Sequence, residues 1–458
     1  MKFLHRFLPK GIGKLIFRFT NKKFICPFCF NKRLLSEIEF RCENENCFLE
    51  EDKKLADFQK ATAIRMNKTF PATATSSIQK EAQCPDCKQN TTTRICPECH
   101  NTLPFNIGKY PEVMFAFIGA KETGKSHYIA VLINTIETKI ATTFNADLSP
   151  LDENTQKKYR EEFYSPLYQR KEVINITKSA RTDYNTRMPL IYTLKFSKKS
   201  NKKITNVSTL TFFDTAGEDL NDEETMRTEN KYIFNSQGII LLIDPLQIHE
   251  IREVLKSKNV NVNLPKENEE TKDIINRVVR LIRKATGLTD EKRKIKTPIA
   301  IVFSKIDAIK EILEDNTELF NSNEHNGYFD IKDANNIGKI IETCINDWGG
   351  SGKALINKVK VNFKSYAFFG ISALGSNPHG TTINEQPQPI RVEDPFLWLL
   401  YKNKVINSNQ KMILYEKFRY NTKEVTEVLS LVGKKVIEWS INTGKLIAQL
   451  LNYFFSKL

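Results

Sequence analysis

One run of eight residues constrains this chain more than any other. Gly119-Ala-Lys-Glu-Thr-Gly124-Lys125-Ser126 fits the pattern G-x-x-x-x-G-K-[ST]. The glycines let the backbone curl until its N–H groups point inward at phosphate oxygens. The run follows Val113-Met-Phe-Ala-Phe-Ile118, a short apolar stretch of strand character. It precedes residues of helical character that begin at Ser126. A helix N-terminus behind the loop adds positive potential for an anion. In this arrangement Gly119, Lys121, Thr123 and Gly124 cradle phosphates. Lys125 reaches the β- and γ-phosphates as the catalytic cation, and Ser126 ligates Mg²⁺.

The surroundings set the fold class. Buried-strand runs recur at Leu190–Phe196, Leu210–Phe213, Gly238–Ile243, Pro298–Phe303 and Tyr366–Ile371, with helical patterns such as Thr271–Ala285 between them. Apolar strands alternating with helices imply an α/β domain over residues 110–402, a mainly parallel sheet with helices on both faces. A phosphate site also needs a second carboxylate to hold the metal. Asp214, at the end of Leu210–Phe213, is placed for that, and Gly217 is placed to donate its N–H to a γ-phosphate.

Here the residues carry a family resemblance. Asp214-Thr-Ala-Gly217 resembles the third motif of Ras-like GTPases, Ser304-Lys305-Ile-Asp307 the guanine-specifying motif, and Ser372-Ala373-Leu374 the loop that closes on the base. The resemblance implies GTP rather than ATP. An Asp accepts from guanine N1–H and the N2 amino group, a Lys stem packs on the purine, and the Ala373 N–H reaches O6. Ser304 stands where Asn or Thr is usual, and Leu374 where Lys is usual.

Gly119–Ser126, Asp214–Leu220, Leu241-Leu-Ile-Asp244-Pro245 and Glu393-Asp-Pro-Phe-Leu-Trp-Leu-Leu400 resemble, more closely, the bacterial double-GTPase families, which implies a place in conflict and defence systems. Glu218 occupies the position of the water-orienting Gln, so the expected turnover is slow or dependent on a partner's arginine. Thr182 and Thr186 both qualify as the remaining Mg²⁺ ligand. Thr186 is favoured because it lies nearer the following strand.

Eight of the nine cysteines fall within residues 24–105. Cys26-Pro-Phe-Cys29 is followed by Cys42-x4-Cys47, and Cys84-Pro-Asp-Cys87 by Cys96-Pro-Glu-Cys99. Pairs at this spacing fill corners of a tetrahedron, so each half of the segment is expected to close its own Cys₄ structural zinc site, making two Zn²⁺ ribbons in chain order. His100 is expected to stand beside the metal without binding it, and Cys344 to be a small buried residue in a helix.

The formal net charge of +15 admits an anionic partner. No run is long and apolar enough to span a bilayer. Lys2, Arg6, Lys10, Lys14 and Arg18 break the apolar stretches of the basic amphipathic N-terminal segment, 1–23, so no secretory leader is expected. Cytoplasmic residence follows. Residues 421–458 repeat apolar positions from Val425 to Phe454 at helical spacing, an amphipathic helix suited to its own core, a partner or a membrane surface. A protein partner for the zinc segment or this helix ranks ahead of nucleic acid. The expected function is a GTP-hydrolysing regulatory switch. Two other classes stay open: a zinc-ribbon ATPase acting with nucleic acid, and a scaffold that holds nucleotide without turning it over.

Overall fold

The computed structural model describes residues 22–71, 79–175, 188–198, 200–214, 231–260, 262, 264–265, 271–313, 317–323, 325–378 and 380–409. The 421–458 helix, and all but the last two residues of the 1–23 segment, lie outside them. The chain divides into a unit of residues 1–407 and one of 408–458.

The larger unit is built on seven strands: β1 (Glu112–Ile118), β2 (Ala146–Pro150), β3 (Leu190–Ser197), β4 (Ile204–Phe212), β5 (Gly238–Ile243), β6 (Ile299–Phe303) and β7 (Tyr366–Gly370). Their order is β2-β3-β4-β1-β5-β6-β7. The five from β4 to β7 run parallel, and β3 and β2 continue antiparallel at one edge. Every expected strand is present. The edge strand β2, part-polar as Ala-Asp-Leu-Ser-Pro, carries no apolar run that would mark it in the sequence.

Side chains alternate across the sheet, as a period of two requires. Met114, Ala116 and Ile118 of β1 face a core shared with the helices His249–Ser257, Thr271–Thr286, Ile331–Asp347 and Gly349–Asn362. Val113, Phe115 and Phe117 face the opposite core, with α1 (Lys125–Thr135), Tyr159–Arg170 and Asp394–Lys402. Both faces are therefore covered, which is why the parallel strands read as unbroken apolar runs. Among the described residues no helix is long and apolar enough to cross a membrane.

The cysteine segment forms short strands ahead of this sheet. Glu39–Arg41 pairs antiparallel with both Thr69–Pro71 and Arg94–Ile95. The first half of the segment is thus stitched to the second. Phe24, Leu35, Ile38, Leu103 and Ile107 pack against Ile191 of β3. The Ile25 N–H also donates to the Glu112 carboxylate at 3.0 Å, tying the segment to the first strand of the sheet.

Candidate functional site

The C-terminal ends of the parallel strands open into one cavity of about 460 Å³. Its floor is the loop after β1. Gly119 fits there because a Cβ would stand 2.8 Å from the Leu242 carbonyl and 2.6 Å from Thr123 Oγ1. Gly124 turns the chain at φ +86°, a conformation that side chains with a Cβ avoid. It is also the N-cap of α1 and has no side chain to satisfy the first helical N–H groups, so these are left to a ligand. Lys125, buried, donates to the carbonyls of Gly119 at 2.9 Å and Ala120 at 3.1 Å. Thr123 Oγ1 donates to the Ala120 carbonyl at 2.9 Å.

Ser126 Oγ donates to Asp214 Oδ2 at 2.7 Å, so the hydroxyl after the loop and the carboxylate after β4 meet. Two hard oxygens held together beside a phosphate loop fit a magnesium ion, which takes one or two protein oxygens and fills the rest of its shell with water and phosphate. Gly217, Glu218, Thr182 and Thr186 lie outside the described residues.

The other end of the cavity is lined by Lys305, Asp307, Ser372 and Ala373, beside Lys121, Thr123, Gly124, Lys125 and Ser126. Lys305 sits in the left-handed region at φ +52°. Its ammonium meets Asp244 Oδ2 at 2.5 Å and donates to the Glu122 carbonyl at 2.9 Å. The base-side loop and the phosphate loop are therefore pinned together. Ser304 is buried and donates to the Ile243 carbonyl at 3.2 Å, which anchors the loop to the neighbouring strand instead. Burial pushes the Asp307 carboxyl above its ordinary range, while a hydrogen bond from Ser372 and the charge of Lys305 pull the other way. The Ser372 hydroxyl also accepts from the Gly375 N–H at 2.8 Å.

Three features here were not read from the sequence. Asp244, the carboxylate that holds Lys305, was visible only as part of a family string. His127 follows Ser126 directly and lines the cavity. Its Nε2 accepts from the Ile174 N–H at 3.1 Å, so the proton of the neutral ring sits on Nδ1. Burial, then the charge of Lys305, lowers its pKa to about 4. The third is Val173–Asn175, which line the cavity together with Leu374, Ser376 and Asn377.

The eight cysteines do gather into two tetrads, but not in chain order. Cys26, Cys29, Cys96 and Cys99 form one, and Cys42, Cys47, Cys84 and Cys87 the other, nested inside it. This corrects the expectation of one site per half. Spacing identifies the pairs but not their partners, and the pairing of Glu39–Arg41 with Arg94–Ile95 brings the outermost pairs together. The sulfurs stand 3.8 Å apart in Cys26–Cys99 and Cys29–Cys96, 3.5 Å in Cys42–Cys87 and 3.9 Å in Cys47–Cys84. A tetrahedral ion with metal–sulfur bonds of about 2.3 Å has edges of about 3.8 Å, so both tetrads fit zinc.

All three C-P-x-C turns share one backbone. The residue after the second cysteine is left-handed in each: Phe30, Lys88 and His100. Its N–H returns to the carbonyl of the first cysteine at 3.0, 3.1 and 3.0 Å respectively. Such turns aim amides at the sulfurs. The Gln89 N–H is the main cause that brings Cys87 down to about 6. His100 is not a ligand: its ring meets Asp52 at 2.8 Å and Glu39 at 3.2 Å. Cys344 is half-buried on the helix Ile331–Asp347 and packs at the edge of a core.

With this geometry in view, residues 113–335 match the model of the Double-GTPase 2 family. The central region is thus similar to double-GTPase domains. The candidate ESX-1 scaffolding and assembly protein SaeC of Mycolicibacterium smegmatis is 25% identical over 348 residues, 72% of this chain and 83% of its own. The Ski7 GTPase-like domain of S. cerevisiae, solved with GDP and inorganic phosphate, matches with a TM-score of 0.28 and 15% identity over 64% of this chain and 51% of that one. The same domain solved with GTP gives 0.27 and 13%, over 66% and 52%. This chain thus spans about half the length of the solved chains that it matches.

Proposed function

We propose that this protein is a GTP-binding switch that turns over slowly and works on a protein assembly. The observation that carries this reading is convergence. A phosphate loop and an Asp–Ser base clamp open on one cavity, and Ser126 of its lining is bonded to Asp214, which makes a metal-competent oxygen pair.

The roles follow from the chemistry. Lys125 neutralises the β- and γ-phosphates, drawn off the loop carbonyls that it now bonds. Ser126 and Asp214 hold Mg²⁺, which balances charge on the phosphates. Asp307 accepts from the guanine N1–H and N2 amino group. Gly217 senses the γ-phosphate. Glu218 orients the attacking water, and its carboxylate in place of an amide brings a second negative charge toward the γ-phosphate, which makes unassisted hydrolysis slow.

Each tetrad holds one structural Zn²⁺, and the metals brace a module with little core of its own. The relative named for scaffolding and assembly supports a protein partner rather than nucleic acid. It also favours the scaffold as the second reading: tight GTP binding with no phosphate release.

The test is competition against fluorescent GTP in Mg²⁺ by GTP, GDP and ATP, for the wild type and Asp307→Ala. GTP and GDP are expected to compete and ATP not to, with the preference lost in the variant. Equal competition by ATP refutes the guanine assignment. Phosphate release under single turnover then separates switch from scaffold.

A further inference from the structure

We propose that Phe30 is a positioning residue for the magnesium carboxylate Asp214, so that the outer cysteine tetrad sets how tightly the nucleotide's Mg²⁺ is held; this rests on the GTP-binding reading above. Phe30 follows Cys29 and occupies the left-handed position of the first cysteine turn at φ +59°. A bulky residue is unfavourable there. The equivalent Lys88 of the inner tetrad is exposed to solvent. Phe30 instead is 3% exposed and reaches into the GTPase domain.

Its ring stands edge-on to Phe213, centroids 5.0 Å apart at 80°, and 5.7 Å from Tyr232. Phe213 and Tyr232 are themselves 5.1 Å apart, closing a triangle of rings. The Phe30 carbonyl accepts from Asn235 Nδ2 at 2.8 Å. Phe213 is the residue before Asp214, whose carboxylate accepts from Ser126. The path from metal-binding turn to metal-binding carboxylate is therefore Cys29, Phe30, Phe213, Asp214, contiguous throughout.

The turn fixes the Phe30 backbone through the bond from its N–H to the Cys26 carbonyl at 3.0 Å. A thiolate bound to metal on the preceding residue fixes it further. A ring held that firmly limits where the Phe213 backbone can sit, and with it the Asp214 carboxylate. Buried edge-to-face ring pairs carry enough energy for this control to be measurable.

The experiment uses the full chain loaded with zinc and measures release of fluorescent GDP at saturating Mg²⁺ and in Mg²⁺-free buffer without chelator, with zinc content alongside. Phe30→Ala is expected to speed release in Mg²⁺ by about fivefold to tenfold. It should raise the half-saturating Mg²⁺ concentration by the same factor, with release in Mg²⁺-free buffer and zinc content unchanged. Phe30→Leu keeps most of the volume, serves if the alanine variant fails to fold, and should give a smaller shift of the same kind. Cys29→Ser should mimic Phe30→Ala at saturating zinc, whereas Cys87→Ser and Lys88→Ala should leave the Mg²⁺ dependence alone. An unchanged ratio of rates with and without Mg²⁺ in the Phe30 variants, or an equal effect from Cys87→Ser, overturns the inference. A wild type whose nucleotide binding ignores Mg²⁺ overturns the GTP reading instead.

Discussion

Replacing Cys26, Cys29, Cys96 and Cys99 together by serine removes every outer thiolate and leaves the inner four in place. The nested arrangement predicts one Zn²⁺ per chain for this variant. Replacing Cys26, Cys29, Cys42 and Cys47 instead removes half of each tetrad and predicts none. Pairing in chain order predicts the reverse, so metal content by mass spectrometry after gel filtration decides between them.

Nesting also couples the two sites. Cys29 and Cys96 are 67 residues apart, and Cys47 and Cys84 are 37 apart within that span. With the inner site formed, the outer closure has only about 30 free residues to order. Loop-closure entropy scales as (3/2)RT ln n, so losing the inner site costs the outer one about 0.7 kcal/mol, about threefold in zinc affinity. Coupling between two binding sites is reciprocal, so losing the outer site costs the inner one the same factor. Chelator competition on the Cys87→Ser and Cys29→Ser chains measures both directions. Unchanged affinities in both variants refute the reasoning.

Gly119→Ala places a Cβ against the Leu242 carbonyl, which has no side-chain freedom to yield, and should weaken GTP binding at least tenfold in the competition assay. Asp307 has a folded pKa above its unfolded value. Guanine needs the ionised form, so GTP affinity should be full well above that value and fall as pH drops through it, starting above the usual carboxylate pKa of about 3.9. The sign for stability is opposite. Burying the charge costs the nucleotide-free protein stability at neutral pH, so Asp307→Asn should not lower its melting temperature there. His127 has a depressed pKa, about 4. The unfolded chain binds its proton first, so stability should fall as pH drops from about 6.5 toward 4. His127→Gln should flatten that part of a denaturation-versus-pH profile.

The phosphate loop was legible because its chemistry needs contiguous residues: Gly119 to Ser126 must be neighbours for their amides to surround one anion. The strands were legible because burial on both faces leaves unbroken apolar runs. What escaped depends on partners distant in sequence. Nothing local marks Asp244 as the counter-ion of Lys305, and the two meet because β5 and β6 are adjacent and in register. His127 carries meaning only once Ile174 is beside it. The cysteine pairs were visible, yet which pair closes with which is a property of the fold that joins Glu39–Arg41 to Arg94–Ile95.

That closure has a consequence in time as well as space. Chains are made from the N-terminus at about 5–20 residues per second. Cys26 and Cys29 therefore emerge several seconds before Cys96 and Cys99, with the inner four arriving between. The inner four cysteines are all made before the outer set is complete. Only when the last pair arrives is the tetrad beside Phe30 complete. The nucleotide domain, made still later, is then offered a finished surface on which to dock.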